Sequence, residues 1–411
     1  MVSLRVGLAQ LNLRLGDLDG NVEMIVAAYD EAVELGAQVV VFSELTVTGY
    51  PPEDLLLKPT FVEGAALALG RIARHTGPVP AVVGFPEDSG QTGPVRLWNS
   101  AAMCWGGAVR GVYRKHFLPN YSVFDEQRYF VPGTDPGPLL WVDGVPVGIS
   151  ICEDLWGPPG AAYAAASDGE LLTSLGGDDD ASPVVAQVAM GAKLAVVING
   201  SPYQRGKQAN REAFACARAS QAGIGVVYVN QVGGQDELVF DGNSFVTDAA
   251  GNVVCRLPAF AEQVTVCEVD VGESSCGDPA AGLLTPTLDP LEEVWLALVV
   301  ATRDYVRKNG FTDVAVGLSG GIDSSAVAAI ATDALGPEHV HGVSMPSRYS
   351  SEGSRTDASQ LAANLGIDLR TVPIEPAHAA LAGMLDNANP DDVDSPADRV
   401  ADVDSPADRR C

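Results

Sequence analysis

Short runs that are apolar at almost every position recur along the first 270 residues, and this pattern constrains the fold most strongly. Examples are LRVGLAQ, VVVFSEL, VPVGISICE, LAVVINGSP and GVVYVNQVG. Strands of this composition are typical of sheets that are covered on both faces. The segment NVEMIVAAYDEAVELGAQ, between the first two runs, has the period of an amphipathic helix. We therefore predict an α/β fold in which functional residues follow the ends of strands.

A second α/β unit is predicted after a linker. Residues 271–290, VGESSCGDPAAGLLTPTLDP, are rich in Gly, Pro and Ser and are predicted to form the linker. The segment LEEVWLALVVATRDYVRKNG then begins a unit in which VAVGLSG, HVHGVSMP and LRTVPI alternate with helical patterns. Repeated βα units predict a parallel, doubly wound sheet. The predicted limits are 1–270 for the first domain and 291–385 for the second.

Two segments do not fit this alternation. Residues 166–183, ASDGELLTSLGGDDDASP, are polar and rich in Gly and Asp, and we expect a surface insertion there. The tail, 386–411, contains DVDSPADR at 392–399 and again at 402–409, and such low-complexity sequence cannot form a core. Because only three strands are predicted before this tail, the second domain is expected to be incomplete.

The charge and the cysteines of the chain argue against several classes of partner. The formal net charge is −28, with 25 Lys and Arg residues, which argues against binding of nucleic acid or of an anionic membrane surface. No apolar run is long enough to span a bilayer, and the first residues lack the pattern of a signal peptide. The seven cysteines are scattered, which indicates a reduced, cytoplasmic protein and no zinc site.

Three residues at or near predicted strand ends could form a catalytic site. Cys152 follows VPVGISI, Glu44 ends VVVFSEL, and Lys115 follows a β-like stretch in VYRKHFLPNY. A cysteine nucleophile needs a base to take its proton and a donor to stabilise the oxyanion that forms on the substrate. Each residue also has an ordinary interpretation, as a core cysteine, a carboxylate facing water and a surface lysine. Their significance depends on whether the fold brings them together.

The segments around these residues resemble a known superfamily. FSELTVTGYPPEDLL, YRKHFLPNYSVFDEQRYF and GISICEDLWG are similar to the three signature segments of the nitrilase superfamily of carbon–nitrogen hydrolases. The resemblance covers most of residues 1–270 and implies an α-β-β-α sandwich. It implies that Glu44 is the general base, that Lys115 stabilises the oxyanion and that Cys152 forms a thioester. Lys115 is also expected to favour the thiolate of Cys152, and Glu126 matches a supporting acid of the family.

A further segment resembles the glutamine-using branch of this superfamily. NGSPYQRGK is similar to the part of those enzymes that binds the substrate. By this resemblance Ser201 and Lys207, together with Tyr121, hold the α-amino and α-carboxyl end of glutamine. The alternative is an ordinary surface loop.

The sequence VAVGLSGGIDSSAVAAIA predicts a phosphate-binding turn between a strand and a helix. Glycines let the backbone approach a ligand closely, and the start of the helix presents free N–H groups. The turn lacks the Gly-Lys-Ser/Thr of a Walker A loop, and its acid, Asp323, would suit Mg²⁺ bound to the phosphates. The candidate ATP-binding residues are Gly317, Leu318, Ser319, Gly320, Gly321, Ile322, Asp323, Ser324 and Ser325. The stretch resembles the pyrophosphate loop of N-type ATP pyrophosphatases; the alternative is a Gly-rich turn without a ligand.

The two halves together resemble one family. MPSRYSSEGSRTDASQLAANLGI is similar to NAD synthetases, and a nitrilase-type domain before such a loop is the arrangement of the glutamine-dependent NAD synthetases. The resemblance implies that ATP, with Mg²⁺, adenylates deamido-NAD and that ammonia from glutamine then displaces AMP. It also implies a homo-oligomer and no tightly bound cofactor.

Other functions remain open from the sequence. The chain could be a separate glutamine amidase that carries a vestigial, inactive synthetase fragment. It could also have a non-enzymatic role, binding intact synthetase subunits and modulating their oligomer. A nitrilase that acts on nitriles agrees less well with NGSPYQRGK and with the pyrophosphate loop.

Overall fold

The computed structural model of the protein describes residues 2–91, 97–157, 182–271 and 284–386. The chain divides after Phe311 into two compact units. Most of the predicted insertion lies outside the described residues, as do most of the linker and nearly all of the tail.

The described residues form the following strands and helices. The strands are β1 Ser3–Gln10, β2 Val39–Val41, β3 Ala81–Asp88, β4 Leu97–Trp105, β5 Ala108–Arg114, β6 Leu140–Val142, β7 Val145–Ile151, β8 Leu194–Asn199, β9 Gly225–Asn230, β10 Val232–Gln235, β11 Leu238–Asp241, β12 Phe245–Thr247, β13 Val253–Arg256, β14 Gln263–Asp270, β15 Val314–Gly317, β16 Val340–Ser344 and β17 Asp368–Thr371. The helices are α1 Leu18–Glu34, α2 Pro59–His75, α3 Glu153–Trp156, α4 Pro183–Ala189, α5 Lys207–Ala222, α6 Pro290–Lys308, α7 Ile322–Leu335, α8 Glu352–Leu365 and α9 Glu375–Asp386.

The first unit contains two six-stranded mixed sheets. Their strand orders are β14-β1-β2-β3-β4-β5 and β13-β12-β9-β8-β7-β6. In the first sheet β1, β2 and β3 are parallel neighbours, and in the second sheet β7, β8 and β9 are. Every residue of β2, β8 and β9 is buried, as expected for central strands that are covered on both faces.

The two sheets pack face to face between layers of helices. Side chains such as Val41 of the first sheet and Ile149 of the second share one apolar core. On the outer face of the first sheet, α1 and α2 pack through residues that include Ile25 and Ile72. On the outer face of the second sheet, α4 and α5 pack through residues that include Val184 and Ala215. The first unit is therefore the predicted α-β-β-α sandwich.

Helix α6 belongs to the first unit, although the predicted domain limits placed it in the second. Its apolar residues Ala297 and Val300 pack against Phe260, and its backbone approaches the β10–β11 hairpin closely. A Cβ on Gly234 would lie 3.1 Å from the Cα of Ala301. The sequence pattern of an amphipathic helix shows that one face is apolar, but it does not show which unit covers that face. The domain limits given from the sequence are not tested further by the structure and stay a prediction.

The second unit has the predicted βα alternation. Strands β15, β16 and β17 form a parallel sheet in that order, and α7 and α8 connect them. Leu318 and Ala328 are among its buried residues. The unit is thus the expected parallel α/β arrangement, with three strands among the described residues.

Candidate active site

Three sequence-predicted residues follow strands of the two sheets. Glu44 lies three residues after β2 and Lys115 directly after β5, both in the first sheet, whereas Cys152 directly follows β7 of the second sheet. The three residues are 0%, 1% and 5% exposed, respectively. The surface interpretations of Glu44 and Lys115 are therefore excluded, and the packed sheets bring residues of distant sequence to one site.

A buried ion triad lies at the centre of this site. Lys115 Nζ donates to Glu44 Oε1 at 2.6 Å and to Glu126 Oε1 at 2.8 Å. Burial alone would lower the pKa of Lys115, but the carboxylates of Glu126 and Glu44 raise it well above its usual value. Burial raises the pKa of Glu126 to about 7, although Lys115 opposes this shift. The lysine is therefore a cation, and its positive charge suits it to stabilise an oxyanion.

Additional donors that were not predicted hold the two carboxylates. The Nδ2 of Asn99 donates to Glu44 Oε1 at 2.7 Å, and the backbone N–H of Gly200 donates to Glu44 Oε2 at 2.8 Å. The hydroxyl of Tyr50 donates to Glu126 Oε1 at 3.0 Å. Tyr50 lies in FSELTVTGYPPEDLL and Gly200 lies in NGSPYQRGK, but Asn99 lies in no motif that the sequence singled out.

Cys152 has a strained backbone at the junction between β7 and α3. Its φ is +48° and its ψ is −102°, a region that residues other than glycine rarely adopt. The neighbouring strand β8 helps to fix this conformation, because the backbone N–H of Cys152 donates to the carbonyl oxygen of Ile198 at 2.9 Å. Strain of this kind clusters at functional sites, where surrounding contacts maintain it.

The thiol of Cys152 is protonated at rest. Burial raises its pKa well above the usual value, and the charge of Glu44 raises it further. Lys115 lowers the pKa, as the sequence predicted, but this effect is outweighed. Burial disfavours the charged form, so the charge of Lys115 does not by itself produce a thiolate. A base must remove the proton when the thiol reacts.

A cavity of about 260 Å³ opens beside Cys152. Its lining includes all three residues that were predicted to bind glutamine, namely Tyr121, Ser201 and Lys207. Glu153, directly after the cysteine, also lines it and accepts a hydrogen bond from the Tyr121 hydroxyl at 3.0 Å. The structure thus brings the predicted nucleophile and the predicted substrate-binding residues to one cavity.

Lys207, the first residue of α5, places a partly buried amine in this lining. Its Nζ donates to the carbonyl oxygen of Pro202 at 3.2 Å and lies 5.8 Å from the ring centroid of Phe124. Burial, together with the nearby charge of Arg211, lowers its pKa to about 8. An anionic ligand beside this amine would raise its pKa again, because an opposite charge favours the protonated form.

Arg211 supports the predicted substrate-binding loop and was not predicted. Its Nη1 donates to both carboxylate oxygens of Asp241, at 2.7 and 2.8 Å. Its Nη2 donates to the carbonyl oxygens of Ser201 and Pro202, each at 2.9 Å, and its Nε donates to Ser201 Oγ at 3.2 Å. The side chain is 1% exposed. One indication of this supporting role is present in the sequence, because Arg211 falls on the apolar face of an amphipathic helix, where a buried arginine needs partners.

The Gly-rich turn of the second unit has the predicted strand–turn–helix form. Gly317 ends β15, Gly321 caps α7, and Gly320 has a φ of +80°. A Cβ on Gly320 would lie 2.3 Å from the carbonyl oxygen of Ser354, so this position requires glycine. A cavity of about 390 Å³ in this unit is lined by residues that include Ser319.

Polar groups of this turn face one another at the start of α7. Ser319 Oγ lies 3.1 Å from Ser324 Oγ, and the hydroxyl of Ser325 donates to the carbonyl oxygen of Gly321 at 2.8 Å. Asp323 lies in the first turn of α7 and is exposed. Within the described ranges, no cluster of three or more His, Cys, Asp or Glu residues is arranged to hold a metal ion by itself.

Comparisons with known proteins agree with both halves of the chain. The family model for carbon-nitrogen hydrolases matches residues 5–275, and the model for NAD synthases matches residues 294–398. A glutamine-dependent NAD(+) synthetase from Aquifex aeolicus is 41% identical over 407 residues, covering 92% of this chain and 67% of the relative. The chain belongs to the glutamine-dependent NAD(+) synthetase family.

Other glutamine-dependent NAD(+) synthetases and an amidase extend this similarity. The enzyme from Xylella fastidiosa strain Temecula1 is 42% identical, over 93% of this chain and 65% of its own length. The structure of the Acinetobacter baumannii enzyme in complex with ADP has a TM-score of 0.80 and 35% identity, over 93% of this chain and 67% of that one. The chain therefore spans about two thirds of the length of these NAD(+) synthetases.

The amidase matches a smaller part of this chain than the NAD(+) synthetases do. It comes from Nesterenkonia sp. AN1, and its structure shows the product of Michael addition of acrylamide at the active-site cysteine. It has a TM-score of 0.52 and 27% identity, over 66% of this chain and 93% of its own.

Proposed function

We propose that this chain uses glutamine and ATP to convert deamido-NAD to NAD, with Glu44, Lys115 and Cys152 hydrolysing the glutamine. The observation that carries this proposal is the buried contact of Lys115 with Glu44 beside the cavity of Cys152. A ligase of this kind must release ammonia from glutamine before it can form the new carbon–nitrogen bond.

The first half-reaction begins with the protonated thiol. Glu44 takes the proton of Cys152 Sγ as the sulfur attacks the amide carbon of glutamine, and a carbon–sulfur bond forms. The charge that develops on the amide oxygen is stabilised by the ammonium group of Lys115. The carbon–nitrogen bond then breaks, the proton held by Glu44 passes to the departing nitrogen, and ammonia leaves a thioester on Cys152.

The second half-reaction restores the enzyme. Glu44 takes a proton from a water molecule whose oxygen attacks the thioester carbon, and the carbon–sulfur bond breaks. Glutamate leaves, and the proton on Glu44 returns to the sulfur of Cys152. Glu126 accepts from Lys115 throughout and keeps the lysine in place.

Binding of glutamine is assigned to the cavity residues. Lys207 binds the α-carboxylate of the substrate, and Tyr121 and Ser201 hold its α-amino end. Arg211 supports this arrangement, because it fixes both Ser201 and the carbonyl group of Pro202 that Lys207 contacts.

The ATP-dependent step is assigned to the Gly-rich turn of residues 317–325. Its backbone and its serine hydroxyls bind the phosphates of ATP, and Asp323 binds the Mg²⁺ that accompanies the nucleotide. ATP adenylates the carboxylate of deamido-NAD and releases pyrophosphate; ammonia then displaces AMP to give NAD. The ADP in the complex of the Acinetobacter baumannii enzyme supports a nucleotide site in this family.

We also propose that the protein acts in the cytoplasm as a homo-oligomer, without a tightly bound cofactor. In the part of the chain that the structure describes, no helix has both the length and the apolar character to cross a membrane. A separate amidase is less consistent with the chain, because the NAD synthase match extends over residues 294–398.

One reaction tests this proposal directly. Purified protein is incubated with glutamine, deamido-NAD and Mg-ATP, and glutamate and NAD are quantified together. The proposal expects both products, and it expects Asp323→Ala to lose NAD while it retains glutamate. Glutamate without NAD in the unaltered protein would favour the amidase, and the absence of both products would contradict the proposal.

A further inference from the structure

Asp154 is a buried carboxylate two residues after Cys152; it lies within GISICEDLWG, but neither the resemblance nor the mechanism gives it a role. It is 0% exposed, and its two oxygens accept four hydrogen bonds. Oδ2 accepts from the Tyr113 hydroxyl at 2.7 Å and from the backbone N–H of Ile151 at 3.2 Å. Oδ1 accepts from the backbone N–H groups of His116 and Phe117, at 3.0 and 2.9 Å.

These four donors belong to the two segments that carry Lys115 and Cys152. Tyr113 lies in β5 of the first sheet, and His116 and Phe117 directly follow Lys115. Ile151 ends β7 of the second sheet and directly precedes Cys152. One carboxylate therefore links the backbone beside Lys115 to the backbone beside Cys152 across the interface of the two sheets.

The other contacts of the Lys115 backbone do not provide this link. The backbone N–H of Lys115 donates to Asn99 within the first sheet, and its carbonyl oxygen accepts from Gly133. The hydrogen bond from the Ile151 N–H to Asp154 moreover holds the backbone one residue before Cys152, whose φ is strained and whose side-chain direction depends on the backbone around it. Two catalytic groups on different sheets need such a link, because a displacement of about 1 Å can lower a rate by about 10²-fold.

We propose that Asp154 is a positioning residue that sets the distance and orientation of Cys152 relative to Lys115. The inference rests on the proposed roles of these two residues in glutamine hydrolysis. Asp154 is not among the residues that line the cavity beside Cys152. It acts through the backbone, and its removal therefore affects the chemical step rather than the binding of glutamine.

Asp154→Asn is the sharpest test. The amide oxygen can still accept from His116 and Phe117, and the amide nitrogen can still donate to the Tyr113 oxygen. The amide nitrogen would face the N–H of Ile151, donor against donor, so the variant disturbs the cysteine side of the link first. Tyr113→Phe is a second, milder variant, because it removes one partner of Oδ2 without changing any charge.

Asp248→Asn is the matched control. Asp248 is 7% exposed and lies in the turn between β12 and β13. Its carboxylate accepts from the backbone N–H groups of Ala250 and Asn252, at 2.9 and 2.8 Å. Like Asp154 it is a buried carboxylate that accepts from two backbone N–H groups through one oxygen, but its hydrogen bonds do not involve the segments of Lys115 or Cys152.

Three quantities are compared in these variants: kcat and KM for glutamine hydrolysis, the thermal unfolding midpoint, and the rate at which acrylamide alkylates Cys152. The alkylation is followed by peptide mass spectrometry and needs no glutamine. We expect Asp154→Asn to lower kcat by about 10²-fold with little change in KM, and to slow alkylation of Cys152. Tyr113→Phe should show a smaller loss of the same kind, and Asp248→Asn should match the unaltered protein.

Several results would overturn the inference. Wild-type kcat and alkylation rates in Asp154→Asn would do so, as would a raised KM with an unchanged kcat. Equal losses in Asp154→Asn and Asp248→Asn that follow the fraction of folded protein would indicate a structural role only. If the unaltered protein does not hydrolyse glutamine, the proposed function fails, and the alkylation rates alone decide the role of Asp154.

Discussion

The Nζ of Lys115 lies 2.6 Å from Oε1 of Glu44, and neither side chain is exposed to solvent. Oε1 of Glu126 lies 2.8 Å from the same Nζ. A buried charge is stable only while its partners remain, so the lysine and the two carboxylates depend on one another for stability as well as for chemistry.

Lys115→Met is expected to destabilise the protein and to abolish glutamine hydrolysis. The variant leaves two buried carboxylates without their cation, and breaking such a pair costs about 3–5 kcal/mol in the free energy of unfolding. Denaturant unfolding measures this loss. Arg71→Met is the control, because Arg71 pairs with Asp19 on the surface and its loss should cost less than about 1 kcal/mol. Equal losses in the two variants would contradict the account of the triad.

The KM for glutamine is expected to rise as the pH increases through about 8. The pKa of Lys207 is lowered to about 8 by burial and by Arg211, so the amine loses its charge above this pH and binds the α-carboxylate less well. Initial-rate measurements of KM between neutral and alkaline pH detect the change. Lys207→Arg keeps its charge over this range and should remove the rise that is due to residue 207. If KM rises identically in Lys207→Arg, a group other than Lys207 causes the pH dependence, and the prediction is contradicted.

Gly320→Ala is expected to abolish ATP-dependent formation of NAD and to leave glutamine hydrolysis in place. The new Cβ would meet the carbonyl oxygen of Ser354 at 2.3 Å, which forces the Gly-rich turn to move. Gly310→Ala is a matched control, because Gly310 also has a φ of +80° but has open space around its Cβ position. Both variants carry a backbone strain of about 1 kcal/mol, and only the first has a clash. NAD formation that survives in Gly320→Ala would argue against this turn as the ATP site.

Asp304→Ala is expected to loosen helix α6 from the first unit. The Asp304 carboxylate is 4% exposed and accepts from the backbone N–H of Gly234 at 2.7 Å and from Asn12 at 2.8 Å. Its removal leaves buried donors unsatisfied, at a cost of about 1–3 kcal/mol. Denaturant unfolding should show this loss, whereas Asp289→Ala, which removes the exposed N-terminal cap of the same helix, should cost about 1 kcal/mol. A smaller loss in Asp304→Ala than in Asp289→Ala would contradict this role.

The sequence was sufficient to predict the sandwich and the residues that meet at its cavity. Fully apolar strands mark the central positions of covered sheets, and the quoted segments around Glu44, Lys115 and Cys152 are specific enough to identify a superfamily. Each of these signals is contained in a short stretch of sequence, so it can be recognised without knowledge of tertiary contacts.

The residues that hold the site could not be predicted, because their contacts join distant parts of the chain. The amide of Gly200 that binds Glu44 is 156 residues away in sequence, and Asn12 and Asp304 are separated by 292. The hydrophobic periodicity of the sequence carries no information about which distant residues will form such pairs. The raised pKa of the Cys152 thiol could not be predicted either, because it depends on how deeply the folded sheets bury the sulfur.

The most direct test of the account uses Cys152→Ala with two nitrogen sources. NAD is quantified after incubation with deamido-NAD, Mg-ATP and either glutamine or ammonium chloride. The account predicts no NAD and no glutamate from glutamine, but formation of NAD from ammonium at the rate of the unaltered protein. Glutamate or NAD produced from glutamine by this variant would contradict the assignment of Cys152 as the nucleophile that supplies ammonia.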